Sequence, residues 1–215
     1  TEQLVTSITN AVLQQLAGEQ NSSANTSEVI PVGVSNRHVH LAQSDAEKLF
    51  GEGANLTLFK NLSQPGQFAC NEKVIIAGAK GVIEGVRILG PFRKTTQVEI
   101  APSDAVKLGI KPPVRDSGDI EDSPGIVLIG PAGVVALSKG VIIAARHIHM
   151  HPSDAQRFGV KDKQRICVRA RGPRALIFHK VLIRVSDQFA LEMHIDIDEA
   201  NAGGVANGDK VEIVR

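Results

Sequence analysis

The stretch from Ala144 to Ala155, "AARHIHMHPSDA", places His147, His149 and His151 at alternate positions. A related stretch from Ser35 to Ala46, "SNRHVHLAQSDA", carries His38 and His40 in the matching places. Side chains along a strand alternate between its two faces, so each H-x-H pair presents both imidazoles on one side. Each pair is followed by Ser-Asp-Ala, which reads as the start of a short helix with Ser and Asp as N-cap and first-turn residues.

The same phase recurs twice more. When His40, Glu99, His149 and His194 are superimposed, the residue six places on is Ala46, Ala105, Ala155 and Ala200. Ser44-Asp45, Ser103-Asp104, Ser153-Asp154 and Asp198-Glu199 stand just before those alanines. The chain therefore reads as four copies of a strand running into a capped helix. Two residues before the shared position, the first and third copies have His38 and His147, whereas the second and fourth have Gln97 and Glu192.

Short runs rich in β-branched residues fill the rest of the chain from Val29 onward, among them "IPVGVS", "EKVIIAG", "GVIEGVRIL", "GIVLIG", "GVIIAA", "QRICVRA", "KVLIRVS" and "LEMHIDI". Their length and their bounding Gly, Pro, Asn and Asp residues predict an all-β barrel or sandwich with few, short helices, and argue against βαβ units. The N-terminus differs. In "TEQLVTSITNAVLQQLAG", Leu4, Val5, Ile8, Val12 and Leu16 recur at helical spacing before Gly18, and a polar Ser- and Asn-rich stretch follows. This predicts an amphipathic helix over residues 1–17 tethered by a flexible linker over 18–28.

With 215 residues, 42% hydrophobic, the chain is long enough for one large or two small cores. A formal net charge of +1 without long charge runs gives no electrostatic basis for nucleic acid or an anionic membrane as partner, and points to small molecules. No apolar run reaches the length of a membrane span, and no signal-peptide pattern opens the sequence. Cys70 and Cys167 form no C-x-x-C motif; Cys167 reads as a buried strand thiol, and a reducing cytosol is expected.

Zinc-like cations are held by imidazole and carboxylate, and a catalytic site keeps three protein ligands and one open position. The first two copies of the repeat supply His38, His40 and Glu99, and the last two supply His147, His149 and His194. Random placement of seven histidines gives about 0.2 H-x-H pairs, so two pairs at equivalent repeat positions carry weight. His151 has no counterpart at Ala42 and reads as a supporting or surface residue. His179 has no phase relation to the repeat and reads as structural. The Asp residues of the Ser-Asp-Ala turns are explained as caps.

Several segments, "PVGVSNRHVHL", "SQPGQ", "ILGPFRKTTQVEI", "RDSGDIEDSPGI", "GVIIAARHIHM" and "LEMHIDIDEANA", resemble the PduL-type phosphate propanoyltransferase family, the phosphotransacylases of bacterial microcompartments. The resemblance runs from about Pro31 to the C-terminus. It implies two β-barrel domains capped by short helices, one formed by residues 29–36 plus 145–215 and the other by 37–144, with a dimetal site between them. It implies two zinc ions per chain, held by His38, His40, Glu99, His147, His149 and His194. The implied reaction interconverts a short-chain acyl-CoA, propanoyl-CoA or acetyl-CoA, plus phosphate with acyl phosphate plus coenzyme A. Arg93 of "GPFRK" is the expected catalytic phosphate clamp, because guanidinium pairs bidentately with phosphate oxygens, and Ser117 of "RDSGD" is a further substrate-binding candidate. The N-terminal helix resembles a targeting extension, which implies contact with microcompartment shell or core proteins, a homo-oligomer in the lumen of a cytoplasmic microcompartment, and a link to propanediol degradation.

Two other classes share these ligands. A dimetal hydrolase of a thioester or ester would activate water in place of phosphate, and a non-catalytic metal-binding scaffold would require closed four-ligand sites.

Overall fold

The computed structural model describes residues 28–214. The helix expected over residues 1–17, and all but the last residue of the linker expected over 18–28, lie outside them. In chain order the strands of the first two thirds are β1 (Val29–Ser35), β2 (His38–His40), β3 (Leu58–Asn61), β4 (Phe68–Ala77), β5 (Val82–Gly90), β6 (Gln97–Glu99), β7 (Val114–Arg115), β8 (Ile126–Ile129), β9 (Val134–Leu137) and β10 (Val141–Ala144). They are followed by β11 (His147–Met150), β12 (Arg165–Ala170), β13 (Leu176–Val185), β14 (Glu192–Asp196) and β15 (Lys210–Val214). The helices are short: α1 (Gln43–Phe50), α2 (Pro102–Leu108), α3 (Pro152–Phe158) and α4 (Ile197–Gly203). Each follows directly on one copy of the sequence repeat, β2, β6, β11 and β14 in turn.

The strands form two sheets. One is a closed barrel in the order β1-β14-β11-β13-β12-β15, and the other has nine strands along β7-β10-β6-β2-β5-β4-β8-β9, with β3 beside β4. The expectation of two barrels is thereby corrected: the second sheet is open. Its path ends on β7, two residues long, and on β9, four residues long, and these ends do not pair. A barrel closes only when its end strands meet in register along enough length to share hydrogen bonds.

Each sheet encloses its own core. Ile30, Val32, Ile148, Met150, Val181, Ile183, Met193 and Ile195 fill the barrel, joined by Ala155 and Phe158 of α3 and Ala200 of α4. Val39, Leu41, Ile76, Ile88, Val98, Ile100 and Leu128 form the other core, with Ala46 and Leu49 of α1 and Ala105 and Leu108 of α2. The four alanines of the repeat are all buried, each where its helix packs down on the core of its sheet. Val39 and Ile148, the central residues of the two H-x-H pairs, are fully buried in these cores. Their neighbours must therefore face the opposite way, and a one-residue slip of either strand would exchange imidazole for aliphatic in the core.

The helix starts depart from expectation. The N-caps are Ala42, Ala101, His151 and Asp196, in extended backbone, so Ser-Asp occupies the second and third helical positions of α1, α2 and α3, and Asp198-Glu199 those of α4. Pro102 and Pro152 cause the shift in α2 and α3, since proline suits the first helical position and moves the cap one residue upstream. The acidic residues still act on the helix ends. Asp104 accepts from the Ala101 amide at 3.2 Å, and Asp196 and Glu199 form a full reciprocal capping box.

Two glycine-bounded hairpin turns tie the open sheet to its helices. Gly78–Gly81 lies against the end of α2, with the Lys80 amide donating to the Leu108 carbonyl, and Gly130–Gly133 lies against the end of α1, with the Ala132 amide donating to the Leu49 carbonyl. A Cβ at Gly78 would stand 2.2 Å from the Leu108 carbonyl oxygen, and one at Gly130 would stand 2.3 Å from that of Leu49. Only glycine allows this approach, by which carbonyls at the helix ends gain donors.

Candidate functional site

The antiparallel pairing of β2 with β6 sets His38 opposite Glu99 and His40 opposite Gln97. The pairing of β11 with β14 repeats the pattern, with His147 opposite His194 and His149 opposite Glu192. Each half of the sequence repeat is thus one two-strand ladder. His38, His40 and Glu99 come together, as do His147, His149 and His194, with the possible ligand atoms of each group within 4.8 Å of one another. The six residues form two distinct triplets, one on each sheet, which corrects the expected single dimetal centre. The reason is local: ligands two residues apart on one strand reach a cross-strand neighbour sooner than a residue of the other sheet.

The imidazoles are prepared for a cation by backbone carbonyls. Nδ1 of His38 lies 2.8 Å from the Asn36 carbonyl, Nδ1 of His40 3.2 Å from that of Leu89, and Nδ1 of His147 2.8 Å from that of Ala145. A carbonyl only accepts, so Nδ1 carries the proton and Nε2 keeps its lone pair. His194 is held the other way, with Nε2 2.6 Å from Glu192 Oε2, which leaves Nδ1. Nδ1 of His149 is buried without a hydrogen-bond partner. A buried polar nitrogen left unpaired by the chain fits a ligand from outside it.

Protonation agrees with this preparation. Burial, reinforced by His38 and Arg93, lowers the pKa of His40 to about 3. Burial and the neighbouring imidazoles lower His147 to about 4 and His149 to about 2, and Arg184 adds to both effects. Burial alone would raise the Glu99 carboxyl, but His38, His40, the Ser117 hydroxyl and Arg93 outweigh it and bring the pKa to about 2. At neutral pH His40, His147 and His149 are therefore neutral imidazoles and Glu99 is an ionised carboxylate, the states that bind metal.

A web of hydrogen bonds fixes Glu99. Its Oε1 accepts from Gln97 Nε2 at 2.6 Å and from the Ser117 hydroxyl at 2.7 Å. Ser117 in turn accepts from Arg93 Nη1 at 3.1 Å and from Gln97 at 2.9 Å, while Gln97 Oε1 accepts from the Gly118 amide at 2.8 Å. Arg93 is placed by its own backbone, whose amide donates to the Leu41 carbonyl at 2.8 Å. Both triplets, Arg93 and Ser117 line one cavity of about 790 Å³.

The other singled-out residues fall elsewhere. His151 is exposed at the start of α3, where its Nδ1 accepts from the Ser153 amide at 3.2 Å. His179 is exposed beside Cys167, with Nδ1 3.2 Å from the sulfur. Cys167 is only partly buried, because it stands at an irregularity in the β12–β13 pairing; Cys70 is the fully buried thiol, and burial raises its pKa to about 11. Neither cysteine lines the cavity. Sequence reasoning missed as site members the cavity residues Glu192 and Arg184, and Gln97, which holds Glu99 from outside the cavity lining. Gln97 and Glu192 occupy the repeat positions two residues before Glu99 and His194, so the period-two rule that found the histidines also reaches them. Arg184 is placed beside His149 by the β11–β13 register, for which the sequence gives no local signal.

Fold and site together define a class: a barrel joined to an open sheet, each bearing a three-residue candidate metal site, and both opening on a cavity that also holds guanidinium groups. Comparison with known proteins narrows this. The profile of the phosphate propanoyltransferase family matches residues 31–206. A phosphate propanoyltransferase of Thermotoga maritima is 62% identical over 186 residues, 86% of this chain and 89% of that protein. Those of Rhodobacter capsulatus and Listeria monocytogenes are 49% and 47% identical, each over 96% of this chain and 97% of their own length. The chain belongs to the phosphate propanoyltransferase family, and it is an acyltransferase. Among the described residues no helix is long and apolar enough to cross a membrane.

Proposed function

We propose that this chain interconverts a short-chain acyl-CoA, propanoyl-CoA or acetyl-CoA, and phosphate with acyl phosphate and coenzyme A, by direct attack of phosphate on the thioester. The observation that carries the reading is the pair of triplets of imidazole and carboxylate, opening with Arg93 on one cavity. His38, His40 and Glu99 would hold one zinc ion, and His147, His149 and His194 would hold a second, separate one. When bound, such cations supply Lewis acidity toward a carbonyl or phosphate oxygen and a soft ligand site for a thiolate.

The residues of the chain do the rest. Arg93 holds the phosphate oxygens and orients one of them toward the carbonyl carbon. A carbon–oxygen bond forms, the carbon–sulfur bond breaks, and the electron pair leaves with the CoA sulfur. Ser117 completes the substrate-binding side of the pocket by fixing the guanidinium of Arg93 against Glu99. No covalent acyl-enzyme is needed, in keeping with the absence of both cysteines from the cavity lining. Residues 29–36 with 145–215 would form one unit and 37–144 the other. The amphipathic segment 1–17 would direct a homo-oligomer to shell or core proteins of a cytoplasmic microcompartment, in a pathway such as propanediol degradation.

The test is phosphate-dependent release of CoA from propanoyl-CoA and acetyl-CoA, with and without a chelator. Release that requires phosphate, disappears with chelator and returns with zinc supports the proposal. Release at equal rate without phosphate would make the protein a hydrolase and overturn it.

A further inference from the structure

Arg184 stands on β13 directly beside His149 of β11, on the strand face that turns away from the barrel core, and its side chain lines the cavity. Among the guanidiniums of that cavity it is treated differently by the fold. Arg37 is paired with Asp104 at 2.8 Å, Arg87 donates to the Cys70 carbonyl and lies over the Phe59 ring, and Arg93 donates to Ser117. Arg184 makes no hydrogen bond and no ion pair among the described residues; its guanidinium carbon lies 5.8 Å from the centre of the Phe189 ring. That ring packs on His149 with centroids 4.3 Å apart, so Phe189 connects the guanidinium to the second triplet.

No carboxylate of the cavity neutralises it: Glu84 is exposed and makes no ion pair with Arg184, and the other three are engaged elsewhere. Glu99 is engaged by Gln97 and Ser117, Glu192 by His194 and Ser63, and Asp196 by the first turn of α4. Arg184 also lies close enough to Arg93 to disfavour its charge, and it acts in the same sense on His147 and His149. A half-buried guanidinium with five unused donors, facing a second cation, is costly unless an anion comes between them.

We propose that Arg184 is a second oxyanion-binding residue of the site, which with Arg93 grips the inorganic phosphate from the side of His147, His149 and His194. The inference rests on the acyl-transfer reading above and deepens it. The two guanidiniums would offer their planar forks to different phosphate oxygens, which fixes the nucleophile in two directions where Arg93 alone fixes it in one. A phosphate oxyanion could also come from the diphosphate of CoA, and the kinetics separate the two sources.

The experiment measures initial rates of CoA release by the zinc-loaded full chain, varying phosphate and acyl-CoA independently, for the wild type, Arg184→Gln and Arg184→Lys. For Arg184→Gln the KM for phosphate should rise about 10- to 100-fold, with the KM for acyl-CoA changed by less than about threefold. Arg184→Lys should recover part of the phosphate affinity, because it keeps the charge and loses the fork. Isothermal titration of the zinc-loaded proteins with inorganic phosphate alone should show the same order without turnover. An unchanged phosphate KM and phosphate affinity in Arg184→Gln would overturn the inference, as would a rise confined to acyl-CoA, which would assign the guanidinium to the CoA diphosphate. Should Arg184→Gln not fold, Arg184→Lys and the titration decide by the same criteria. Failure of the wild type to release CoA in response to phosphate would instead refute the acyl-transfer reading itself.

Discussion

Replacing Glu99 by Gln removes one charge while preserving the size of the side chain. Glu99 is 8% exposed and lies with Oε2 3.4 Å from His38 Nε2 and Oε1 4.0 Å from His40 Nε2. A glutamine can still accept from Ser117 through its amide oxygen, so the hydrogen-bonded web and the surrounding core should persist. What is lost is the one charged ligand of the triplet, and with it the attraction between that charge and a bound cation. The three ligand atoms lie within 4.8 Å of one another, and a pair of unit charges about 4 Å apart at an effective dielectric of about 20 attracts by about 4 kcal/mol. That corresponds to more than about a hundredfold in the affinity of the triplet for a cation. The dialysed variant should therefore carry about one metal ion per chain where the wild type carries about two, and its turnover should fall at least about a hundredfold. Elemental analysis gives the first number, the CoA-release assay the second, and a far-ultraviolet melt checks that the fold is kept. A folded variant that retains both ions and near-normal turnover would refute the assignment of Glu99 as a ligand.

Arg93→Ala should raise the KM for phosphate by about tenfold or more while leaving that for acyl-CoA nearly unchanged, since it removes a charged partner of the nucleophile; steady-state kinetics in both substrates decide it. The metal-free protein should lose stability as pH falls below 6.5. His40, His147 and His149 have folded pKa values of about 3, 4 and 2, so between these values and 6.5 the unfolded chain binds protons that the fold does not. Each contributes a slope of about 1.4 kcal/mol per pH unit, so thermal midpoints in chelator should drop steeply from pH 7 to pH 5; a flat profile would contradict neutral buried imidazoles. Deleting residues 1–20 should leave CoA release in solution nearly intact and abolish localisation of a fluorescent fusion to microcompartments, and loss of activity on deletion would assign the segment a structural role.

Local pattern carried much of this structure. Alternation over three residues identified both H-x-H ladders, because the buried Val39 and Ile148 force their neighbours outward. The common phase of Glu99 and His194 with the histidines singled out residues that the structure clusters, because each antiparallel ladder pairs two copies of the repeat. Closure was not legible: whether a sheet of short strands seals into a barrel depends on pairings between its two ends, and nothing in "PPVRDS" or "GVVAL" states whether β7 and β9 will meet. The helix starts were misplaced by two residues because Ala42 and Ala101 have no side chain that can cap, and His151 caps through its imidazole, where a side-chain rule looks for Ser or Asp. Arg184 escaped notice for a related reason. An arginine in "LIRVS" is an ordinary strand residue until the parallel pairing of β13 with β11 sets it beside a histidine 35 positions away in sequence.

The placement of β1 has a consequence for the order in which the molecule can be built. This strand is the first one described, yet its partners are β14 and β15, with Val32 beside Met193 and Val29 beside Glu212. All strands of the open sheet lie between. On the ribosome the sheet carrying His38, His40 and Glu99 has every strand it needs once Ala144 has emerged, while β1 waits with one edge unsatisfied until Asp196 has followed and with the other until Val214 has. The two triplets are thus born at different times, the second only after His194 joins His147 and His149. A polypeptide halted between β10 and β14 would hold one of them and leave both edges of β1 exposed, so the capacity to catalyse and the protection from misassociation arrive together.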